Sequence, residues 1–155
     1  MSQTKRQINV GIVGYGFSAT TFHIPFFEEL APYHLKKVVS RQQVDPNLPH
    51  VHFTPRLEDV IHDSEIDLVV IATPSHLHFE PAKAALENNK HVVVEKPFVL
   101  DVCQAQELIT LAKKQNKLLT VYHNRRWDSD FLTIQQLLDR KVLGDVLYFE
   151  ARYDR

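Results

Sequence analysis

An α/β fold built on a doubly wound, mainly parallel sheet is predicted by three features of this sequence. Short apolar runs rich in β-branched residues alternate with segments of helical periodicity. Several of those runs are almost unbroken by polar residues, as strands covered on both faces require. The first run ends in a glycine turn that leads into a helix start, "GIVGYGFSA".

The elements follow in order. "INVGIVG" (Ile8 to Gly14) reads as the first strand. Gly14 and Gly16 then form the G-x-G-x-x-A pattern that ends at Ala19. In such a turn the backbone N–H groups at the helix start can meet a pyrophosphate, and the third glycine only permits close helix packing. Ala19 should therefore leave the anion-facing backbone intact while displacing the helix slightly. "LKKVVS" (Leu35 to Ser40) is the next strand, followed by a proline-bearing candidate linker, Arg41 to His50. "DLVVIAT" (Asp67 to Thr73), "HVVVEK" (His91 to Lys96) and "KLLTVY" (Lys117 to Tyr122) complete the strand set. The clearest helix lies within "LDVCQAQELITLAKKQ", with Asp101 as cap, Val102, Ala105, Ile109 and Ala112 as its apolar stripe, and Lys113 and Lys114 at its carboxyl end. "VLYFEARYDR" alternates, placing Leu147, Phe149, Ala151 and Tyr153 on one face of a final strand.

Composition bounds the function. The 155 residues are 44% hydrophobic and 24% charged, values of an ordinary globular domain. With 18 basic and 19 acidic residues, nothing argues electrostatically for nucleic acid or an anionic membrane as partner. A single cysteine, Cys103, and a polar amino terminus lead us to expect a reducing, cytoplasmic setting. Cys103 is expected to be an inert packing residue. Phe17, Phe22, Phe26 and Phe27 are likewise expected to pack, with His23 on a helix near the mouth of the site. The pairs His50/His52 and His76/His78 have no third ligand at telling spacing, so no metal site is expected.

The end of the second long strand carries the specificity signal. A ribose 2'-hydroxyl is usually met by an acid roughly 20 residues beyond the glycines. Here Ser40 and Arg41 stand in that region, and a hydroxyl with a guanidinium suits a 2'-phosphate.

Three motifs together, G-x-x-G-x-G, then A-T-P-x-x-x-H, then E-K-P, resemble the amino-terminal domain of the Gfo/Idh/MocA family of NAD(P)-dependent oxidoreductases. "FHIPFF" and "NRRWDSDFLT" are most similar to the branch containing NADP-dependent inositol dehydrogenases. The resemblance implies a Rossmann-like fold in which Gly14, Tyr15, Gly16, Phe17 and Ser18 hold the pyrophosphate and Ser40 and Arg41 select the 2' group. Thr73, Pro74 and His78 would run past the cofactor, and Asn124 and Arg125 would approach the nicotinamide ribose. Glu95, Lys96 and Pro97 match the signature whose lysine lies beside the nicotinamide, with a cis bond commonly preceding the proline. Ser75 and His76 depart from the family pattern, where asparagine is common.

Lys96 is the catalytic candidate. An ammonium ending a buried strand, partly dehydrated beside a nicotinamide, can help remove or orient a hydroxyl proton. NADP is the expected cofactor, with NAD possible, and a sugar or polyol the expected substrate. The family resemblance further implies a homo-oligomer. The expected organisation is a dinucleotide-binding domain over 1–123, a connecting helical segment over 124–144, and the start of a substrate domain over 145–155. A non-catalytic NAD(P)-binding regulatory or assembly module is the alternative reading.

Overall fold

A computed structural model describes residues 7–41, 45–152 and 154. Its contacts divide the chain into two compact units, Met1–Tyr122 and His123–Arg155.

The first unit is a six-stranded parallel sheet in the order β3-β2-β1-β4-β5-β6. Its strands are β1 (Ile8–Val13), β2 (Tyr33–Val39), β3 (His52–Thr54), β4 (Leu68–Ile71), β5 (His91–Val94) and β6 (Leu119–Val121). Successive side chains alternate between faces, so β1 sends Val10 and Ile12 into one core and Val13 into the other. β4 repeats the pattern, with Val70 in the first core and Val69 and Ile71 in the second. Two buried layers result, as a parallel sheet needs.

Helices cover these layers. A π turn (Ala19–His23) runs into α1 (Ile24–Glu29), and α2 (Glu58–Ile61), α3 (Phe79–Glu87) and α4 (Val102–Lys114) follow. Asp101 caps α4 as expected, accepting hydrogen bonds from the amides of Cys103 (2.7 Å) and Gln104 (3.3 Å). A cap of this kind contributes about 1 kcal/mol. The apolar stripe of α4 differs from the expected one. Leu108 and Ala112 are buried with Leu111 beside them, whereas Val102 and Ile109 are exposed. Val102 opens the helix ahead of the packed turn, and Ile109 is rotated about 100° from Leu108. Cys103 is exposed as well, which corrects its expected packing role.

Two further expectations are revised in this unit. Arg41 to His50 is not a linker between domains; it joins β2 to β3 inside one sheet, and Leu48 from it is buried in the core. Phe17 (74% exposed) and Phe26 lie on the surface, while Phe22 and Phe27 are half-buried.

The second unit holds a 3-10 turn (Asn124–Trp127) and α5 (Ser129–Asp139). No strand forms over the described residues after α5, and Leu147 is 96% exposed. Alternating hydrophobicity makes a strand only when a neighbouring edge supplies hydrogen bonds, and among the described residues none pairs with this segment. Tyr153, expected on its apolar face, lies outside the described residues. Among the described residues no helix is long and apolar enough to cross a membrane. No three His, Cys, Asp or Glu residues among them converge as a metal site would require.

Candidate functional site

The strand order reverses between β1 and β4, so the loops leaving their carboxyl ends diverge and open a crevice there. The glycine turn enters that crevice. Gly14 has φ +104°, and its N–H donates to Val39 O at 3.0 Å. A Cβ on Gly14 would lie 2.6 Å from Ala72 O, so only glycine lets the turn pass the loop after β4. Gly16 differs: a Cβ there would meet nothing within 4 Å. Its open side leaves room for a ligand to approach the backbone at the start of the following helix. Gly11 serves packing, since a Cβ would sit 2.5 Å from Val60 Cγ1. Ala19 is fully buried among Val10, Ile12 and Ile24, so its methyl is absorbed by the core.

Tyr15, between the two glycines, turns away from solvent. Its ring meets Phe53 edge-on at 5.1 Å, and its hydroxyl donates to Asp45. Burial, reinforced by the Asp45 carboxylate, pushes the phenol up to about 12. Asp45 is an acid near the glycine turn that no sequence motif singles out. Its other oxygen accepts from the Asn47 amide (2.8 Å) and side chain (3.0 Å), so both oxygens are engaged within the chain. At the end of β2, the Ser40 N–H donates to Thr54 O at 2.8 Å, and Arg41 is exposed.

Beyond β4, the Ala72 N–H donates to Val13 O at 2.8 Å, and Thr73 and Pro74 lead into a 3-10 turn (Ser75–Leu77). His78 is only 1% exposed and offers a ligand almost no surface. Its Nε2 lies 2.9 Å from Thr73 O, and its Nδ1 lies 2.9 Å from Pro97 O and 3.2 Å from Phe98 O. It therefore joins the loop after β4 to the turn after β5.

That turn carries the E-K-P motif, and the Lys96–Pro97 bond is cis. Glu95 is 8% exposed and is not paired with Lys96 as a surface ion pair would be. One carboxylate oxygen accepts from the Ser18 hydroxyl and from His23 Nε2 (2.9 Å), and the other from the Lys96 amide (3.1 Å). Burial pushes the Glu95 carboxyl up, but the hydrogen bonds from His23, Ser18 and the Lys96 amide outweigh it and hold the group below the usual carboxylate range. His23 in turn lies against Tyr122, with centroids 4.2 Å apart, and the Tyr122 hydroxyl donates to Phe22 O at 3.2 Å. Lys96 itself is exposed, so the dehydration expected of it is not a property of the chain alone.

The structure thus brings Gly14, Tyr15, Gly16, Phe17, Ser18, Ser40, Arg41, Thr73, Pro74, Glu95, Lys96 and Pro97 to the carboxyl edge of the sheet. Asn124 and Arg125 belong to the second unit, where Arg125 pairs with Asp128 at 2.8 Å.

The family model for GFO/IDH/MocA proteins, an oxidoreductase family with an NAD-binding Rossmann fold, matches residues 8–123. The chain belongs to the Gfo/Idh/MocA oxidoreductase family. Among its members, the oxidoreductase YdgJ of Escherichia coli is 47% identical over 150 residues, covering 96% of this chain and 43% of that protein. IolW of Bacillus subtilis, a scyllo-inositol 2-dehydrogenase (NADP+), is 39% identical over 150 residues, covering 96% of this chain and 42% of IolW. The solved structure of the Yersinia pestis protein YPO2259 superposes with a TM-score of 0.92 at 41% identity, over 97% of this chain and 44% of that one. Biliverdin reductase of Synechocystis, solved with biliverdin and NADP+, gives a TM-score of 0.77 at 32% identity, over 85% of this chain and 43% of its own. This Gfo/Idh/MocA chain therefore spans less than half the length of these relatives.

The residues present fit the dinucleotide that the family name implies. Apart from its two chain neighbours, no atom lies within 4 Å of where a Gly16 Cβ would stand, which leaves backbone accessible where a diphosphate would approach.

Proposed function

We propose that this chain is the cofactor-binding part of an NADP(H)-preferring dehydrogenase that acts on a sugar or polyol hydroxyl carbon. The observation that carries the reading is the arrangement at the switch point, where an open glycine turn, a Ser-Arg pair and a lysine all sit at the carboxyl edge of one parallel sheet. The names of IolW and of the Synechocystis reductase complex support NADP as cofactor.

The roles follow from chemistry. Backbone N–H groups of Tyr15 to Ser18 would take the diphosphate, with Gly14 shaping the turn through its bond to Val39 O, Ser40 and Arg41 on the 2'-phosphate and Thr73 and Pro74 along the cofactor's flank. A bound nicotinamide supplies the hydride acceptor or donor. Lys96 would hold the substrate hydroxyl and move its proton as the carbon is oxidised or its carbonyl reduced. On this reading 1–123 is the dinucleotide-binding domain, 124–144 connects, and 145–155 begins a substrate domain that would cover Leu147 and Phe149. Asn124 and Arg125 would then approach the nicotinamide ribose. The complete enzyme would work in the cytoplasm as a homo-oligomer.

Titrating the 155-residue chain with NADPH and NADH tests the cofactor assignment. Charge-assisted contacts contribute roughly 1.5 to 3 kcal/mol, so NADPH should bind about ten- to a hundred-fold more tightly. Arg41→Ala should erase most of that preference. Equal affinities in the parent chain, or a preference unchanged in Arg41→Ala, would contradict the assignment.

A further inference from the structure

Ser18 and His23 are five residues apart on the segment that follows the glycine turn, yet both donate to the same oxygen of Glu95. An ordinary α-helix cannot arrange this easily. At 3.6 residues per turn, positions five apart point about 140° away from each other. Here the Ile24 N–H donates to Ala19 O, an i→i+5 bond, and Ala19–His23 is a π turn. Residues five apart are then stacked on one side, and the wider turn lets Ser18 and His23 face Glu95 together.

Both carboxylate oxygens are thereby engaged within the chain. One oxygen takes two donors from the first helical segment, and the other takes the amide of Lys96. Tyr122, at the end of β6, closes the cluster by lying against His23 and bonding to the carbonyl of Phe22. Segments that leave β1, β5 and β6 are therefore tied at one buried point, with the glycine turn at one end and the lysine at the other.

We infer that Glu95 is a positioning residue that makes no contact with the cofactor and instead couples the glycine turn, through Ser18 and His23 on the π turn, to the backbone of Lys96. The inference rests on the proposed cofactor site for its consequence but not for its geometry. Two independent effects follow. A cofactor that spans both ends should depend on Glu95, whereas a ligand confined to the adenine end should not. Disturbing His23 should also be felt at the Lys96 amide with no ligand present.

The test uses the 155-residue chain, with NADPH and adenosine 2',5'-bisphosphate as probes. Glu95→Gln keeps the side chain's size but replaces an acceptor with an amide, which cannot satisfy all three donors at once. It should weaken NADPH about tenfold and change adenosine 2',5'-bisphosphate by less than about twofold. Adding Ser18→Ala should weaken NADPH by less than a further twofold, because the two residues act through one bond. Equal losses for both probes would make Glu95 a general staple and overturn the proposal, as would an unchanged NADPH affinity. In ligand-free chain, amide spectra of His23→Asn should shift the Lys96 resonance, and an unmoved Lys96 amide would also overturn it. The milder Ser18→Ala alone gives the same spectral test should Glu95→Gln fail to fold. If the parent chain binds neither probe, the cofactor reading fails, and the ligand-free spectra still decide the coupling.

Discussion

Gly14→Ala is expected to destabilise the chain by about 3 kcal/mol and to remove cofactor binding, whereas Gly16→Ala should leave stability within about 0.5 kcal/mol. The difference comes from where each missing Cβ would point. At Gly14 the added carbon would lie 2.6 Å from Ala72 O and 2.8 Å from Ala72 C, against backbone that cannot rotate aside. Its φ of +104° adds a penalty of roughly 1–2 kcal/mol for any L side chain. At Gly16 the carbon would enter open space, so only an approaching ligand would meet it. Thermal unfolding checks both variants. A loss of about 3 kcal/mol corresponds to roughly 10 °C for a chain of this size. A stable Gly14→Ala that still binds NADPH would remove the steric account of the turn.

Lys96→Ala, placed in an enzyme of its relatives' length, is expected to lower turnover by about 10²- to 10⁴-fold while NADPH affinity stays within about threefold. Lys96 is exposed at the carboxyl edge of the sheet, directly after a buried glutamate that holds its amide. The glycine turn does not use its side chain, so truncation leaves the diphosphate cradle in place. The 155-residue chain should show no turnover itself, because hydride transfer also needs the substrate carbon held against the nicotinamide. Near-normal turnover in Lys96→Ala would exclude the residue from the chemistry. Steady-state kinetics beside a binding titration separates the two effects.

Much of this architecture was legible because buried parallel strands write themselves as apolar runs. β4 and β5 carry Val or Ile at all but their first position and β1 at four of its six, and the glycines mark the turn between β1 and its helix. β3 was not legible. Three residues, His52 to Thr54, are too few for a period, and only Thr54 is buried. Helical spacing located α4 but misjudged its face, since Val102 and Leu108 look equally apolar until α3 packs against one side. Likewise the alternation of Leu147 and Phe149 described a strand whose partner edge is not among the described residues.

The site was legible in its motifs and illegible in its connections. Glu95 reads as half of a charged pair with Lys96, but its side-chain partners lie 77 and 72 residues away, at Ser18 and His23. No pattern in "SATTFH" announces a π turn. His78 was legible as a motif residue, whereas its burial against Thr73 O and Pro97 O depends on how two loops meet. Asp45 carries no sequence signal, because its place beside the glycine turn depends on a hydrogen bond from the Tyr15 hydroxyl thirty residues away.

One ligand-binding edge is expected to run from the glycine turn, past the end of β4, to Lys96. The most direct measurement is a titration of the ¹⁵N-labelled 155-residue chain with NADPH, following each backbone amide. The expected result is saturable shifts concentrated at Gly14 to Ser18, Ser40 and Arg41, Thr73, and Lys96, with the far ends of the strands, such as Ile8 and Leu68, unmoved. Shifts confined to another surface, or none at millimolar NADPH, would contradict it.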